Sequence, residues 1–220
     1  MIRALFFDLD NTLLDRQAAH RRWAEYFVAS IYPDVAHDQQ SAWVDELDDQ
    51  DKFGYISRET YADWAINRFP ECGFDRQTFL KEYRRDLIPF YRIDTTVLEM
   101  LTCLGEQFSM AIVSNGSAYS QRGKLRHTRL NKLFEHVVLS GEIGISKPRS
   151  EPFLRGLELL SVEPQEAMYI GDDPVNDILG ACRAGLKTCW VKQGRSFPES
   201  VDATPDFVIE SIVDLPSCLD

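Results

Sequence analysis

The 220-residue chain has no C-x-x-C pair and no excess of positive charge. Nor does any apolar run approach the roughly 20 residues that a bilayer-spanning helix needs. Its five cysteines, Cys72, Cys103, Cys182, Cys189 and Cys218, are odd in number and scattered. That argues against a zinc cage or a disulfide framework and fits free thiols in a reducing compartment. With 35 acidic against 24 basic residues the formal charge is −11. A nucleic acid polymer or an anionic membrane is therefore not an expected partner, because both require basic surface. The apolar amino terminus meets Asp8 too soon for a signal peptide, so a cytoplasmic location is expected. Internal repeats and low-complexity segments are also missing. An acidic chain that handles an anionic substrate must concentrate positive charge locally, which a metal ion and a lysine would do.

What is present is a series of short apolar runs without alternation: Ile2–Phe7, Met110–Val113, His136–Leu139, Met168–Ile170, Thr188–Val191 and Phe207–Ile209. Such runs suit strands covered on both faces. Between them lie helix-like stretches at Thr95–Glu106, Ser120–Leu130, Ser150–Leu160 and Asp177–Ala184. The alternation predicts an α/β fold, a Rossmann-like parallel sheet flanked by helices. The rhythm is interrupted from Asp15 to about Pro89, where no strand pattern occurs. Helices are expected there at Arg16–Ile31, Arg58–Arg68 and Asp75–Asp86, with Pro33 and the acidic run Asp45–Asp51 as breaks. The expected organisation is thus a core of residues 1–14 and 90–220 carrying an all-helical insertion, 15–89.

Four segments carry the chemistry: Asp8-Leu9-Asp10-Asn11-Thr12, Ser114-Asn115-Gly116, Lys147-Pro148, and Gly171-Asp172-Asp173 through Asp177. Each follows or trails an apolar run, so each belongs at the carboxyl edge of the sheet, where open α/β sheets bind ligands. A carboxylate such as Asp8 can attack phosphorus, provided a hard cation brings the two anions together. Asp8 and Asp172 are the obvious pair for Mg²⁺. Asp10 is close enough to exchange protons with the leaving group and with water. Ser114 and the amides around Asn115-Gly116 would donate to phosphoryl oxygens, while Lys147 would neutralise developing charge.

In order and spacing these segments resemble the four motifs of the haloacid dehalogenase-like hydrolase superfamily, and the insertion resembles the helical cap of the subgroup that carries it after the first motif. The resemblance implies that Asp8 is the nucleophile and Asp10 the general acid/base. It implies Mg²⁺ held by the Asp8 side chain, the Asp10 carbonyl and Asp172, and phosphate held by Ser114, Asn115 and Lys147. Asp177, and less firmly Asp173, would stand behind these groups, tying down Lys147 or metal-bound water. Asn11 occupies a position where many members have glycine. The stretches around Ser114, Glu142-Ile143-Gly144 and Gly180–Trp190 are similar to house-cleaning nucleotidases, and phosphoglycolate phosphatase-like members are similar too. The expected function is a Mg²⁺-dependent phosphatase acting on a small phosphomonoester through an aspartyl-phosphate, with a nucleoside monophosphate first among substrates. The oligomeric state is not readable.

The alternatives are a haloacid dehalogenase of the same fold, a phosphomutase, and a non-catalytic binding protein that keeps the fold. Individual residues also have plainer explanations. Asp8 or Asp173 could be turn residues, Ser114 a helix cap, and Lys147 a solvated loop lysine. The basic cluster Arg122, Lys124, Arg126, His127 and Arg129 reads as a solvated helix face. His20, His37, His127 and His136 lack ligand spacing. Trp23, Trp43, Tyr55 and Trp64 read mainly as core of the insertion, with one or two free to face a substrate.

Overall fold

The computed structural model describes residues 1–219. The chain forms two compact units, Met1–Leu14 with Ile93–Asp220, and Asp15–Arg92. In chain order the elements are β1 (Ala4–Phe7), α1 (Arg16–Ile31), α2 (His37–Asp51), α3 (Arg58–Arg68), α4 (Arg76–Leu87), α5 (Thr95–Gly105), β2 (Ser109–Ser114), α6 (Ala118–His127), β3 (His136–Leu139), α7 (Ser140–Ile143), α8 (Glu151–Leu160), β4 (Ala167–Gly171), α9 (Gly180–Arg183), β5 (Lys187–Val191) and β6 (Phe207–Ile209). Among the described residues, no helix is long and apolar enough to cross a membrane.

The first unit is a six-stranded sheet in the order β3-β2-β1-β4-β5-β6, and every pairing is parallel. All four residues of β1 are fully buried, as are Met168, Tyr169 and Ile170 of β4, which explains the unbroken apolar runs. Phe6, Val113 and Tyr169 pack with Phe153 and Leu157 of α8 in one core cluster. The strand order reverses between β1 and β4, and the carboxyl ends at such a reversal open into a crevice. Asp8 follows β1, Asp172 follows β4, and Ser114 closes β2.

The second unit is entirely helical among its described residues. Asp15, Ser57 and Asp75 cap α1, α3 and α4 by accepting from Ala18, Thr60 and Thr78 amides. Trp23 stacks on Phe27 at 5.1 Å between centroids and meets Tyr83 edge-on at 4.6 Å. Of the aromatics singled out in the sequence, Trp23 is core, Trp43 and Trp64 are half-buried, and Tyr55 is exposed. The acidic run Asp45–Asp51 is not a break but the second half of α2. Val44, Leu47 and Asp51 share its buried stripe, while Asp45 and Asp48 reach Arg21 at 2.9 Å each. The acidic run suggested a break; helical period decides otherwise, because its outward acids fall on both sides of an inward stripe.

Buried polar contacts hold this unit together. Arg16 grips Asp51 with two hydrogen bonds of 2.5 and 2.7 Å, and Arg58 adds a third at 3.0 Å. His20 bridges Asp48 at 2.6 Å and the Tyr61 hydroxyl at 2.9 Å, a structural placement for that histidine. Burial alone would raise the Asp51 carboxyl, but Arg16 holds it well below the usual carboxylate range. Removing the guanidinium would strand that carboxylate. Arg16→Met is therefore expected to cost about 3 kcal/mol in denaturant unfolding, the scale for breaking one partner of a buried pair. A loss below about 1 kcal/mol would mean that Arg58 alone suffices, as in a surface pair.

Candidate active site

Local structure at the end of β1 brings the first motif into position. The Asp8 amide donates to the Ile170 carbonyl at 2.9 Å, locking the two strand ends together. The chain then turns tightly, with Leu13 and Leu14 amides on the Leu9 carbonyl and the Asn11 amide on Leu14. Asn11 takes a left-handed conformation, φ 58°. Asparagine tolerates that region better than most residues.

Lys147 is at the centre. Its buried ammonium donates to Asp8 Oδ1 at 2.7 Å, Asp177 Oδ1 at 2.6 Å and the Tyr169 hydroxyl at 2.6 Å, using all three of its protons. Tyr169 donates in turn to the Val113 carbonyl at 2.7 Å. Its main chain is pinned by Asn115, whose side chain accepts from the Lys147 amide at 2.9 Å and donates to the Lys147 carbonyl at 3.0 Å. Against burial, Asp177 and Asp8 raise the lysine's pKa well above its ordinary value, so its charge is permanent. The plain reading of a solvated lysine is excluded.

Asp8, Asp172 and Asp177, all buried, each offer one carboxylate oxygen within 4.8 Å of the others. Gly171 permits this crowding, because a Cβ there would lie 2.3 Å from Asp177 Oδ2. Burial, opposed by Lys147 and reinforced by Asp177 and Asp10, raises the Asp8 carboxyl to about 7. Burial, with Asp177 and Asp8 adding to it and Arg195 opposing, raises Asp172 to about 8. Hard oxygen donors brought this close suit Mg²⁺, which favours carboxylates over softer ligands. The donor set fits the metal that the family resemblance implies.

Several neighbours were not anticipated. Arg195 donates to Asp172 Oδ2 and to its carbonyl, both at 3.1 Å, and Trp190 Nε1 donates to that carbonyl at 2.9 Å. Lys124 is buried rather than solvated, and its ammonium lies 2.5 and 2.8 Å from the two Asp10 oxygens. Gln121 Nε2 reaches Asp10 Oδ2 at 3.2 Å and Ser114 Oγ at 2.9 Å. The charge count of the helix hid the lysine. Its period would have revealed it, since Gln121, Lys124, Leu125 and Thr128 fall on one inward face. Arg126, His127 and Arg129 are exposed, as a solvated face requires, and Arg122 pairs with Glu142 at 2.9 Å.

Two expected residues have more local duties, and the cap of α6 lies elsewhere. Ser117, not Ser114, caps α6 by accepting from the Ser120 amide at 3.2 Å. The Gly116 amide donates to Ser140 Oγ at 2.9 Å, so it is engaged away from any phosphoryl group. The Asp173 carboxylate caps the helical stretch Pro174–Leu179, accepting from the Val175 and Asn176 amides. Its side chain follows the turn reading, while its amide supports Asp177 Oδ2 at 3.0 Å.

The family model described as haloacid dehalogenase-like hydrolase matches residues 5–191. The chain is 28% identical to the N-acylneuraminate-9-phosphatase of Rattus norvegicus over 233 residues, covering 99% of this chain and 94% of that protein. It is 30% identical to the glyceraldehyde 3-phosphate phosphatase of Pyrococcus abyssi over 206 residues, covering 89% and 83%. It is also 26% identical to the pyrimidine 5′-nucleotidase YjjG of Escherichia coli over 223 residues, covering 98% and 96%. Among solved structures, the magnesium-bound HAD-hydrolase YfnB of Bacillus subtilis superposes with a TM-score of 0.79 at 26% identity, covering 100% and 99%. A 2-haloacid dehalogenase of Pseudomonas syringae superposes at 0.67 with 26% identity, covering 100% and 98%.

The raised carboxyls give a testable pH signature. A carboxyl whose pKa is higher folded than unfolded binds more protons in the folded state. It therefore supports stability at low pH and loses that contribution as pH rises through the folded value. Stripped of divalent ions, the protein should lose this contribution to its thermal stability between about pH 4 and about pH 8, the window running from the ordinary carboxyl value to the raised Asp8 and Asp172 values. Mg²⁺ should raise the melting temperature more at the upper end, because protons compete for its ligands. A Mg²⁺ shift independent of pH would contradict the assignment of Asp8 and Asp172 as ligands. With its motifs, sheet topology and family match in agreement, the chain belongs to the haloacid dehalogenase-like hydrolases.

Proposed function

We propose that the protein is a Mg²⁺-dependent phosphatase that hydrolyses a small phosphomonoester through an aspartyl-phosphate on Asp8. The observation that carries this reading is the pairing of the Lys147 ammonium with Asp8 inside a cluster of buried carboxylates. A haloacid dehalogenase displaces halide, which needs neither a proton on the leaving group nor a cation to reconcile two anions. Here a second carboxylate, Asp10, stands beside the nucleophile, and an acidic cluster surrounds it. Family membership alone does not choose between the two reactions; the donor set favours phosphoryl transfer.

Asp8, the Asp10 carbonyl and Asp172 would hold Mg²⁺, which would supply positive charge to offset that of the phosphoryl group. Asp177 keeps Lys147 in place. In the first step an Asp8 oxygen forms a bond to phosphorus as the bond to the leaving oxygen breaks, and Asp10 gives that oxygen its proton. In the second step water attacks the aspartyl-phosphate, Asp10 takes a proton back, and the Asp8–phosphorus bond breaks. An alcohol and inorganic phosphate result, with Asp8 restored as the carboxylate and Asp10 as the acid. Ser114 Oγ and the Asn115 amide would orient the phosphoryl oxygens, while Lys147 stabilises the charge that spreads over them.

Substrates in the family differ: the relatives named above act on an N-acylneuraminate 9-phosphate, on glyceraldehyde 3-phosphate or on a pyrimidine 5′-nucleotide, as their names state. For this chain nucleoside monophosphates come first, and the helical unit Asp15–Arg92 takes the role of the cap. The test is phosphate release across a panel of nucleotides, sugar phosphates and phosphoglycolate, with Mg²⁺ or with excess chelator. Turnover should vanish in chelator and return with Mg²⁺, and Asp8→Asn should lower it by about 10⁴-fold or more on every substrate. Full activity in chelator, or halide release from a 2-haloacid, would overturn the reading in favour of dehalogenation.

A further inference from the structure

Asp10 is held by α6 and not left to its own loop. Both its oxygens face the Lys124 ammonium, at 2.8 Å for Oδ1 and 2.5 Å for Oδ2. Gln121, one turn earlier on the same face, places its amide nitrogen 3.2 Å from Oδ2, 2.9 Å from Ser114 Oγ and 3.0 Å from the Asn115 carbonyl. Lys124 is 8% exposed and Asp10 22%, so the pair is partly sheltered from water. Helix α6 begins directly behind Ser114, the residue expected to meet the phosphoryl group. One helix therefore ties the proton-transfer residue to the phosphate-binding strand end.

Resting on the phosphatase reading, we infer that Gln121 and Lys124 are positioning residues that fix the Asp10 carboxylate relative to Ser114. Their action is on orientation. A carboxyl group has about four lone-pair directions, so contacts with the two side chains leave one to carry the proton given to a leaving group, or to accept from a water. An aspartate has few side-chain torsions, and gripping both oxygens selects one arrangement of them. Proton transfer requires its heavy atoms within hydrogen-bond reach, so a misdirected Asp10 loses efficiency in both steps. The second step suffers whatever the substrate, because water always needs the base. The first is spared when the leaving group is already good.

The inference is separable from a structural role. With nitrophenyl phosphate and Mg²⁺, Lys124→Met and Gln121→Leu should keep the initial burst of nitrophenolate, equal to one turnover per enzyme. Steady-state release should fall by about 10- to 100-fold, the usual cost of losing a group that orients a reacting residue. Phosphoenzyme should accumulate during that phase. With an alkyl phosphate, burst and steady state should both fall. Lys124→Arg, which keeps the cation, should recover most of the steady-state rate. Asp10→Asn combined with Lys124→Met should be no slower than Asp10→Asn alone, because Lys124 acts through Asp10.

Multiplying losses in the double variant would overturn the inference, as they would mean that Lys124 acts on substrate directly. Equal loss of burst and steady state on nitrophenyl phosphate, or an unchanged ratio between them, would overturn it too. If Lys124→Met proves too unstable to assay, Gln121→Leu and Lys124→Arg decide by the same ratio. The parent reading fails in a different way, with the unsubstituted protein releasing no Mg²⁺-dependent nitrophenolate at all.

Discussion

The ammonium of Lys147 is the contact on which the site depends. Four carboxylates, Asp8, Asp10, Asp172 and Asp177, gather at the carboxyl ends of β1 and β4, and such a gathering repels itself unless cations are built in. Lys147 supplies the innermost one, donating to Asp8, Asp177 and Tyr169 at once. Lys124 faces Asp10 and Arg195 faces Asp172, so each outer carboxylate has its own cation. With all four acids ionised, the three basic groups leave one negative charge. A divalent cation would turn that into one positive charge, suited to a phosphate dianion. An acidic protein can thus attract an anion without basic surface.

The sheet provides the rigidity that this arrangement needs. Reversal of strand order between β1 and β4 puts Asp8 and Asp172 on adjacent strand ends, where the Asp8 amide is bonded to Ile170. Gly171 lets Asp177 approach, and Asn115 clasps the Lys147 main chain from the end of β2. Each of these is a local backbone decision with a consequence for charge placement. In the helical unit, the Arg16–Asp51–Arg58 grouping is likewise a buried charge matched by hydrogen bonds.

Residues whose type and position announce themselves were legible in the sequence. The apolar runs mark the strands because parallel strands are covered on both faces, and Asp8, Ser114, Lys147 and Asp172 follow or trail them. Lys124 was not legible by composition, since four basic neighbours made its helix look like a solvated face; only helical period separates its inward side chain from theirs. The run Asp45–Asp51 misled for the same reason, because its charge suggested a break while Leu47 and Asp51 held an inward stripe. Tyr169 was hidden inside an apolar run, where its hydroxyl carries no pattern. Arg195 follows β5, a strand without a motif, by a few residues and bonds partly to carbonyls, which no spacing rule anticipates.

The central claim is that phosphorus becomes bonded to Asp8 during turnover. Protein quenched in acid during hydrolysis of a good phosphomonoester substrate with Mg²⁺, then reduced with borohydride, tests it directly. An acyl phosphate is reduced to an alcohol, so mass spectrometry of the peptide containing residues 1–16 should find homoserine in place of Asp8 and an unaltered Asp10. Modification at Asp10, at a serine or at a histidine, or no acyl phosphate in a protein that is turning over, would contradict the account.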